Sequence, residues 1–324
     1  MDKEKVEITS VKKLDLSIII VNYNLAQEIG DCLNSLLKVM KSVNRLEYEV
    51  IIVDNNSPDG QLQLVEKEFT QDFFHFYYLE KNVGFGSGCN FGFEKANGSL
   101  ICFLNPDTIL KEDIFTSTIK VFNEDQTVGI IGPNQSIKKK IFDFSAGYNP
   151  TILLEIFNLF GLGIFVEGAY MHLKVFFNRN ETLKVNWVLG ACLIIRAQLF
   201  RSLHGFDKDY FMFYEEVDLC RRVLNKGLKV IYRPDLTINH IGSVSGKKDY
   251  SLYTIRTYAS KYLYIKKHFS SMHLLVFNFL LHLQLFSQLI IWILLLPFNS
   301  LKAKQKIKAF IYLLTNKMRY EYRD

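Results

Sequence analysis

Apolar runs that stop at polar turns recur through the first 135 residues, and stretches with helical spacing fill the intervals between them. Leu16 to Val21 predicts a strand closed by Asn22-Tyr-Asn24, after which Ile29, Cys32, Leu33, Leu36, Leu37 and Met40 recur on one helix face. Val50 to Val53 predicts a second strand, ending in Asp54-Asn-Asn-Ser-Pro58. Phe76 to Leu79 predicts a third and runs into Asn82-Val-Gly-Phe-Gly-Ser-Gly88, followed by a helix from about Cys89 to Ala96. The fourth, Ser99 to Leu104, stops at Asn105-Pro-Asp107, and Val128 to Ile131 is read as a fifth. Alternation of this kind, with short polar turns at strand ends, predicts an α/β fold with a parallel, doubly wound sheet.

Regularity fades between about 136 and 185, where Lys138-Lys-Lys140 and Gly161-Leu-Gly163 predict loops around a helix, read as a mobile acceptor-side element. Trp187 to Arg196 predicts one buried strand, Glu215 to Lys226 a helix stopped by Gly227, and Leu228 to Tyr232 a short strand. Beyond about 250 the character changes. Leu274 to Phe298 is almost wholly apolar, is preceded by Lys266-Lys-His268, and is followed by Lys302, Lys304, Lys306 and Lys308. Three regions are therefore expected: an N-terminal tail over 1–14, an α/β domain over 15–248 that holds the candidate chemistry and a C-terminal helical region over 249–324.

With 324 residues, 49% of them hydrophobic, the chain has ample core material and wholesale disorder is excluded. The formal charge of +6 favours anionic partners such as sugar nucleotides or acidic lipid headgroups. A nucleic-acid binder is disfavoured, because the chemistry-bearing region is mixed in sign. Cys32, Cys89, Cys102, Cys192 and Cys220 are scattered in apolar or helical patterns and are expected to be reduced and buried. Met1 to Lys5 is charged and lacks the apolar core of a signal peptide, so the chain is expected to stay cytoplasmic.

Candidate chemistry lies at the strand ends. Asp107, with the Asn105 amide two residues earlier, suits Mg²⁺ or Mn²⁺ bridging to a phosphate, although a plain Asn-Pro-Asp turn leaves the same trace. Asp54 reads equally as a ligand for a base or ribose and as the acceptor of an Asx-turn. Gly84, Gly86 and Gly88 permit close backbone approach, yet the same pattern marks flexible turns. Glu215, Glu216 and Asp218 open a helix, where acids also serve the helix dipole. The aromatic run Asp209 to Tyr214 before them would limit water and raise a carboxyl pKa, as a general base needs. His240 becomes a metal-ligand candidate only if the fold returns it to Asp107.

Leu16 to Asn24, Val53 to Ser57, Asn82 to Gly86, Asn105-Pro-Asp107, Gly190-Ala-Cys192 and Phe213 to Arg222 occur in that order, closed by Pro234 and His240. This ordered set resembles the family 2 inverting glycosyltransferases, especially the rhamnosyltransferase-like branch, over about residues 15 to 245. The resemblance implies a GT-A fold, Rossmann-like, with a mixed, mostly parallel sheet flanked by helices. It also implies a nucleoside-diphosphate sugar as donor, with dTDP-rhamnose favoured, and a glycan or lipid-linked acceptor in cell-surface polysaccharide synthesis. Asp54 would contact the nucleotide base, with Tyr23 lining the pocket. Asn105 and Asp107 would fill the positions of the family's metal-binding Asp-x-Asp, with Asp107 the firmer ligand for Mg²⁺ or Mn²⁺ and His240 a second one. Glu216 would be the catalytic base, with Glu215 and Asp218 flanking the acceptor. Asn82 and Trp187 are counted with the substrate-binding residues. The chain departs from the pattern twice. Asn at 105 removes one charge from the metal site, and Glu at 216 lengthens the base by a methylene, which leaves Glu215 as its possible substitute.

A nicotinamide dehydrogenase fits poorly, because the glycine-rich turn follows the third strand and not the first. A nucleotidyltransferase would need a glycine-rich basic loop after the first strand. Transfer of another hexose from a UDP-sugar, or a non-catalytic sugar-nucleotide-binding protein, remain the alternatives. For Leu274 to Phe298, an in-plane helix or helical hairpin on the cytoplasmic leaflet is expected, with its lysines drawn to anionic lipid; a spanning helix and a soluble helix packed on the rest of the chain are the alternatives.

Overall fold

The computed structural model describes residues 14–316 apart from position 44, 138–144, 150, several positions between 160 and 181, 242–248 and 299. The N-terminal tail, Lys138 to Lys140 and the Gly161 and Gly163 loop predictions lie outside the described residues.

Strands β1 (Leu14–Asn22), β2 (Tyr48–Asp54), β3 (Phe74–Tyr78) and β4 (Gly98–Leu104) form a parallel half-sheet in the order β3-β2-β1-β4. Helices α1 (Ala26–Met40), α2 (Leu62–Glu68) and α3 (Phe85–Lys95) make the crossovers. The two-residue period of β1 explains its double burial: Leu16, Ile18 and Ile20 join α1 in one core, while Ile19 and Val21 join α3 in the other. Gly86 and Gly88, expected in a turn, lie in the first turn of α3. A Cβ on Gly88 would stand 2.9 Å from Val21, and one on Gly92 2.6 Å from Ile19, so these glycines let the helix lie close on β1.

Beyond β4 the sheet becomes mixed. Helix α4 (Phe115–Glu124) leads into β6 (Val128–Ile137). Strand β10 (Cys192–Arg196) then runs antiparallel between β4 and β6, and β11 (Lys229–His240) is parallel to β6. Strands β5 (Thr108–Leu110) and β8 (Leu183–Val185) each pair antiparallel with β11. Two strand predictions need correction. The strand predicted to end at Tyr232 runs on to His240 through a register shift between Arg233 and Thr237, where Pro234 has no N–H for the ladder. The single strand predicted over Trp187 to Arg196 is broken at Gly190-Ala191, which separates β9 (Trp187–Val188), paired with β7 (Ala146–Gly147), from β10.

Helices α5 (Ile152–Leu159), α6 (Ala197–Ser202) and α7 (Glu215–Asn225) precede three C-terminal helices, α8 (Tyr250–His268), α9 (Ser271–Leu294) and α10 (Ser300–Thr315). Tyr210 and Val217 share a third core with Ile255, Tyr264, Phe277, Leu281 and Phe310. The C-terminal helices are thus packed onto the sheet domain through common apolar contacts. The five cysteines are free and buried.

Candidate active site

At the carboxyl ends of β1 and β2, Asn22 and Asp54 face each other in register, and Asn22 Nδ2 donates to Asp54 Oδ1 at 2.7 Å. Ser57 donates from its backbone N to Oδ2 (2.9 Å) and from Oγ to Oδ1 (2.7 Å). A local cap of the loop is thus formed, three residues on at Ser57 and not two as in the Asx-turn expected as one alternative. It also fixes the carboxylate, whose remaining lone pairs can still accept from a ligand. Tyr23, which follows Asn22, is half-buried, and the next residue, Asn24, is left-handed at φ 55°. Buried Asn55 clamps the following loop: its Nδ2 donates to Asn82 Oδ1 (2.9 Å) and its Oδ1 accepts from Val83 N (2.9 Å). Asn82 also accepts from Gly84 N at 3.0 Å, so its amide shapes the loop. At Gly84 (φ 86°) a Cβ would fall 2.3 Å from the Phe211 carbonyl oxygen, and only glycine fits.

The second group gathers at the end of β4. Asn105 N donates to the Ala191 carbonyl at 2.9 Å, and its own carbonyl accepts from Thr108 Oγ1 at 2.6 Å. Pairing of β5 with β11 sets Thr108 opposite His240, which brings His240 Nε2 to 3.2 Å from Asp107 Oδ1. Ile241 N adds a bond to the Asp107 carbonyl at 3.0 Å. The fold thus meets the condition set for His240. Its Nδ1 is buried without a hydrogen-bond partner. Among the described residues no set of three or more His, Cys, Asp and Glu is grouped to hold a metal. A carboxylate and an imidazole still fit a cation that takes its remaining ligands from a diphosphate and water, as Mg²⁺ and Mn²⁺ commonly do.

The third group opens α7. Phe213 (φ 71°) and Tyr214 (φ 65°) are both left-handed, a strained entry that turns two consecutive carboxylates inward. Glu215 lies against Gly86, where a Cβ would be 3.5 Å from its own, and Glu216 lies against Gly190, where the corresponding approach is 3.4 Å. Burial raises both carboxyl groups above the ordinary 4.5. Glu215 stands well above it, because the Glu216 charge adds to burial. Glu216 is held lower by N–H groups that include Gly190's. Each has an Oε2 buried without a partner. Asp218 faces elsewhere, accepting from Arg222 Nε and bonding His268 Nε2, both at 2.7 Å, which ties α7 to α8. Burial opposes its ionisation, but His268 and Arg222 outweigh it and lower the carboxyl below 3.8. Trp187 donates from Nε1 to the Tyr148 carbonyl at 3.1 Å, beside the same β9 turn.

The turn Leu189 to Ala191 links the last two groups, since Ala191 holds Asn105 and Gly190 faces Glu216. Wholly buried Gln135 supports it from β6 by donating Nε2 to the Leu189 carbonyl at 2.8 Å. Gln135, Asn55 and Asn22 were not singled out from sequence. Asn55 and Asn22 carried a local signal, as members of the polar strand-end turns Asp54-Asn-Asn and Asn22-Tyr-Asn24; Gln135 carried none.

Residues 17–202, more than half of the chain, match the family described as glycosyl transferase family 2. The rhamnosyltransferase WbbL of Escherichia coli K12 is 28% identical over 213 residues, 61% of this chain and 75% of that protein. The N-acetylglucosaminyl-diphospho-decaprenol L-rhamnosyltransferase of Mycobacterium tuberculosis is 32% identical over 81 residues, covering 25% of this chain and 26% of that one. Among solved structures, the mannosyltransferase PcManGT of Pyrobaculum calidifontis, in complex with GDP-Man and Mn²⁺, superposes with a TM-score of 0.58 at 15% identity, over 94% of this chain and 88% of that one. That likeness is one of fold: a mixed, mostly parallel GT-A sheet flanked by helices. The chain belongs to glycosyl transferase family 2, and its similarity is to the rhamnosyltransferase-like branch.

Proposed function

We propose that this protein is a metal-assisted, inverting glycosyltransferase that moves a sugar, rhamnose from dTDP-rhamnose being favoured, to a glycan or lipid-linked acceptor of cell-surface polysaccharide. The reaction is assigned to the cytoplasmic face of the cell membrane. The observation that carries this reading is the Leu189 to Ala191 turn, which joins the Asp107–His240 pair to Glu216 across the end of β4. A lipid-linked acceptor is supported by the similarity to the mycobacterial diphospho-decaprenol rhamnosyltransferase, and rhamnose by both rhamnosyltransferases.

Glu216 is the base and Glu215 its protonated neighbour. Glu215 is the harder of the two to ionise, and the Gly190 N–H favours charge on Glu216. Glu216 takes the proton as the acceptor O–H breaks, and the acceptor oxygen bonds to the anomeric carbon. The bond from that carbon to the diphosphate breaks on the opposite face, and its electron pair leaves with the nucleotide, so the configuration inverts. Asp107 and His240 would hold a divalent cation, which would supply counter-charge to the departing diphosphate. Asp54, fixed by Asn22 and Ser57, meets the base, and Tyr23 borders it. Asn82 and Asn105 shape the donor side, and Trp187 the acceptor side.

Calorimetric titration with dTDP, UDP and GDP, with and without Mn²⁺, tests the donor side. Tightest binding of dTDP, strengthened by Mn²⁺, is expected. Preference for GDP would overturn the donor assignment, and metal-independent binding would overturn the metal site.

A further inference from the structure

We propose that α5 and α9 form a docking face that lies flat on an anionic bilayer without crossing it. The inference names the surface that serves the transferase reading, and it rests on no catalytic residue.

Helix α5 is inside out. Its Glu155 is buried and paired with Lys261 of α8 at 2.7 Å, while Ile152, Leu153 and Ile156 face outward, Leu153 being 63% exposed. Helix α9 packs beside it, and Gln284 Nε2 donates to the Asn158 carbonyl at 3.3 Å. Phe277, Leu281 and Leu285 mark the packed side of α9. On the opposite side lie Leu275, Phe279, Leu283, Phe286 and Ile290, with Leu275 and Phe279 both 68% exposed. Every exposed position from Leu275 to Phe298 is apolar, and the polar residues of this stretch are half-buried wherever the structure describes them. A water-facing helix shows the reverse arrangement, and an apolar face of this extent marks an interaction surface.

Charge selects the occupant. Between Tyr250 and Asn316 there is no Asp or Glu but eight Lys or Arg, so this part of the molecule is uniformly cationic. Lys304 and Lys308 of α10 are exposed beside exposed Leu301 and Ile311. Such a face fits acidic headgroups above an apolar boundary layer. Helix α9 is long and apolar enough to cross a membrane, roughly 36 Å at 1.5 Å per residue. It packs against α8 and α10, however, and crossing would carry their Lys and Arg side chains into hydrocarbon at about 2.5–3.5 kcal/mol each. Lying in the plane avoids this. Helix α5 follows β7, whose partner β9 leads to Gly190 beside Glu216, so the face adjoins the acceptor side of the site.

The test is flotation of the full chain with phosphatidylcholine vesicles, with and without added phosphatidylglycerol, followed by carbonate extraction. Binding only to the anionic vesicles, reversed by high salt and by carbonate, is expected. Leu275→Glu with Phe279→Glu, and separately Leu153→Glu, should lose most of that binding. Lys304→Glu with Lys308→Glu should weaken it and flatten its salt dependence. All should bind dTDP as the wild type does, which separates failure here from failure of the transferase reading. Carbonate-resistant attachment, equal binding to neutral vesicles, or a soluble dimer that buries this face would each overturn the proposal.

Discussion

Two consecutive buried glutamates divide one task. Their side-chain carbons lie against different glycines, Gly86 and Gly190, and the Gly190 N–H favours charge on Glu216. Glu216→Gln should lower turnover by roughly 10²–10⁴-fold with little change in nucleotide affinity, measured by steady-state kinetics and calorimetry. An equal loss in Glu215→Gln alone would move the base by one residue. The elevated carboxyls also set a stability trend. A folded pKa above 4.5 favours folding of the protonated acid, so that contribution is complete below 4.5 and is lost as pH rises through the elevated value. Glu215→Gln, which fixes the protonated shape, should therefore raise Tm at neutral pH and leave it nearly unchanged at about pH 4. An equal shift at both pH values would show that ionisation of Glu215 is not involved. Asp107, His240 and Glu216 were legible as residues, because each ends a strand or opens a helix. That Asn105, two residues before Asp107, and Glu216 both meet one turn was not legible, since Gly190-Ala191 reads as the middle of an apolar run.

At the scale of elements, α7 is held from both ends. Its entry is the left-handed pair Phe213 and Tyr214, and Asp218 in its first turn joins Arg222 to His268 of α8. The family resemblance set Asp218 beside the acceptor; its partner His268 is 50 residues away, and that contact has no local trace in the sequence. The Asp218 carboxyl lies below 3.8, so the stability it provides is present above 3.8 and is lost as pH falls through the lower folded value. Asp218→Ala leaves the half-buried Arg222 and His268 without their anion and should cost roughly 1–3 kcal/mol, read as a lowered urea midpoint. A cost below about 1 kcal/mol would place Asp218 outside the structural frame. The loop after β3 depends on Gly84 in the same way. Gly84→Ala, with a positive φ and a blocking carbonyl, should destabilise by more than about 1 kcal/mol and weaken donor binding. Wild-type stability with weakened binding would show that the loop shifts at little cost.

Across the whole molecule, the half-sheet β3-β2-β1-β4 was legible because each strand is a short apolar run closed by a turn. The antiparallel insertion of β10, the extension of β11 through Pro234 and the short edge strand β5 were not, since they depend on partners more than 50 residues away. The expected boundary near 249 divides the helices from the sheet but not their core, because Tyr210 and Val217 pack with Tyr264, Phe277 and Phe310. A chain ending at Lys267 should therefore lose stability and expose apolar surface, seen as a lowered Tm and aggregation. A soluble fragment with unchanged Tm would make the C-terminal helices a separable appendage. The central claim is transfer through the Asp107–His240 and Glu216 groups. It is tested most directly by dTDP release from dTDP-rhamnose with a membrane-extracted acceptor, comparing wild type, Asp107→Ala and Glu216→Gln in Mn²⁺ and in EDTA. Acceptor-dependent release by the wild type in Mn²⁺ alone is predicted, with both variants inactive and Glu216→Gln still binding dTDP. Near-normal release by Asp107→Ala in EDTA would contradict it.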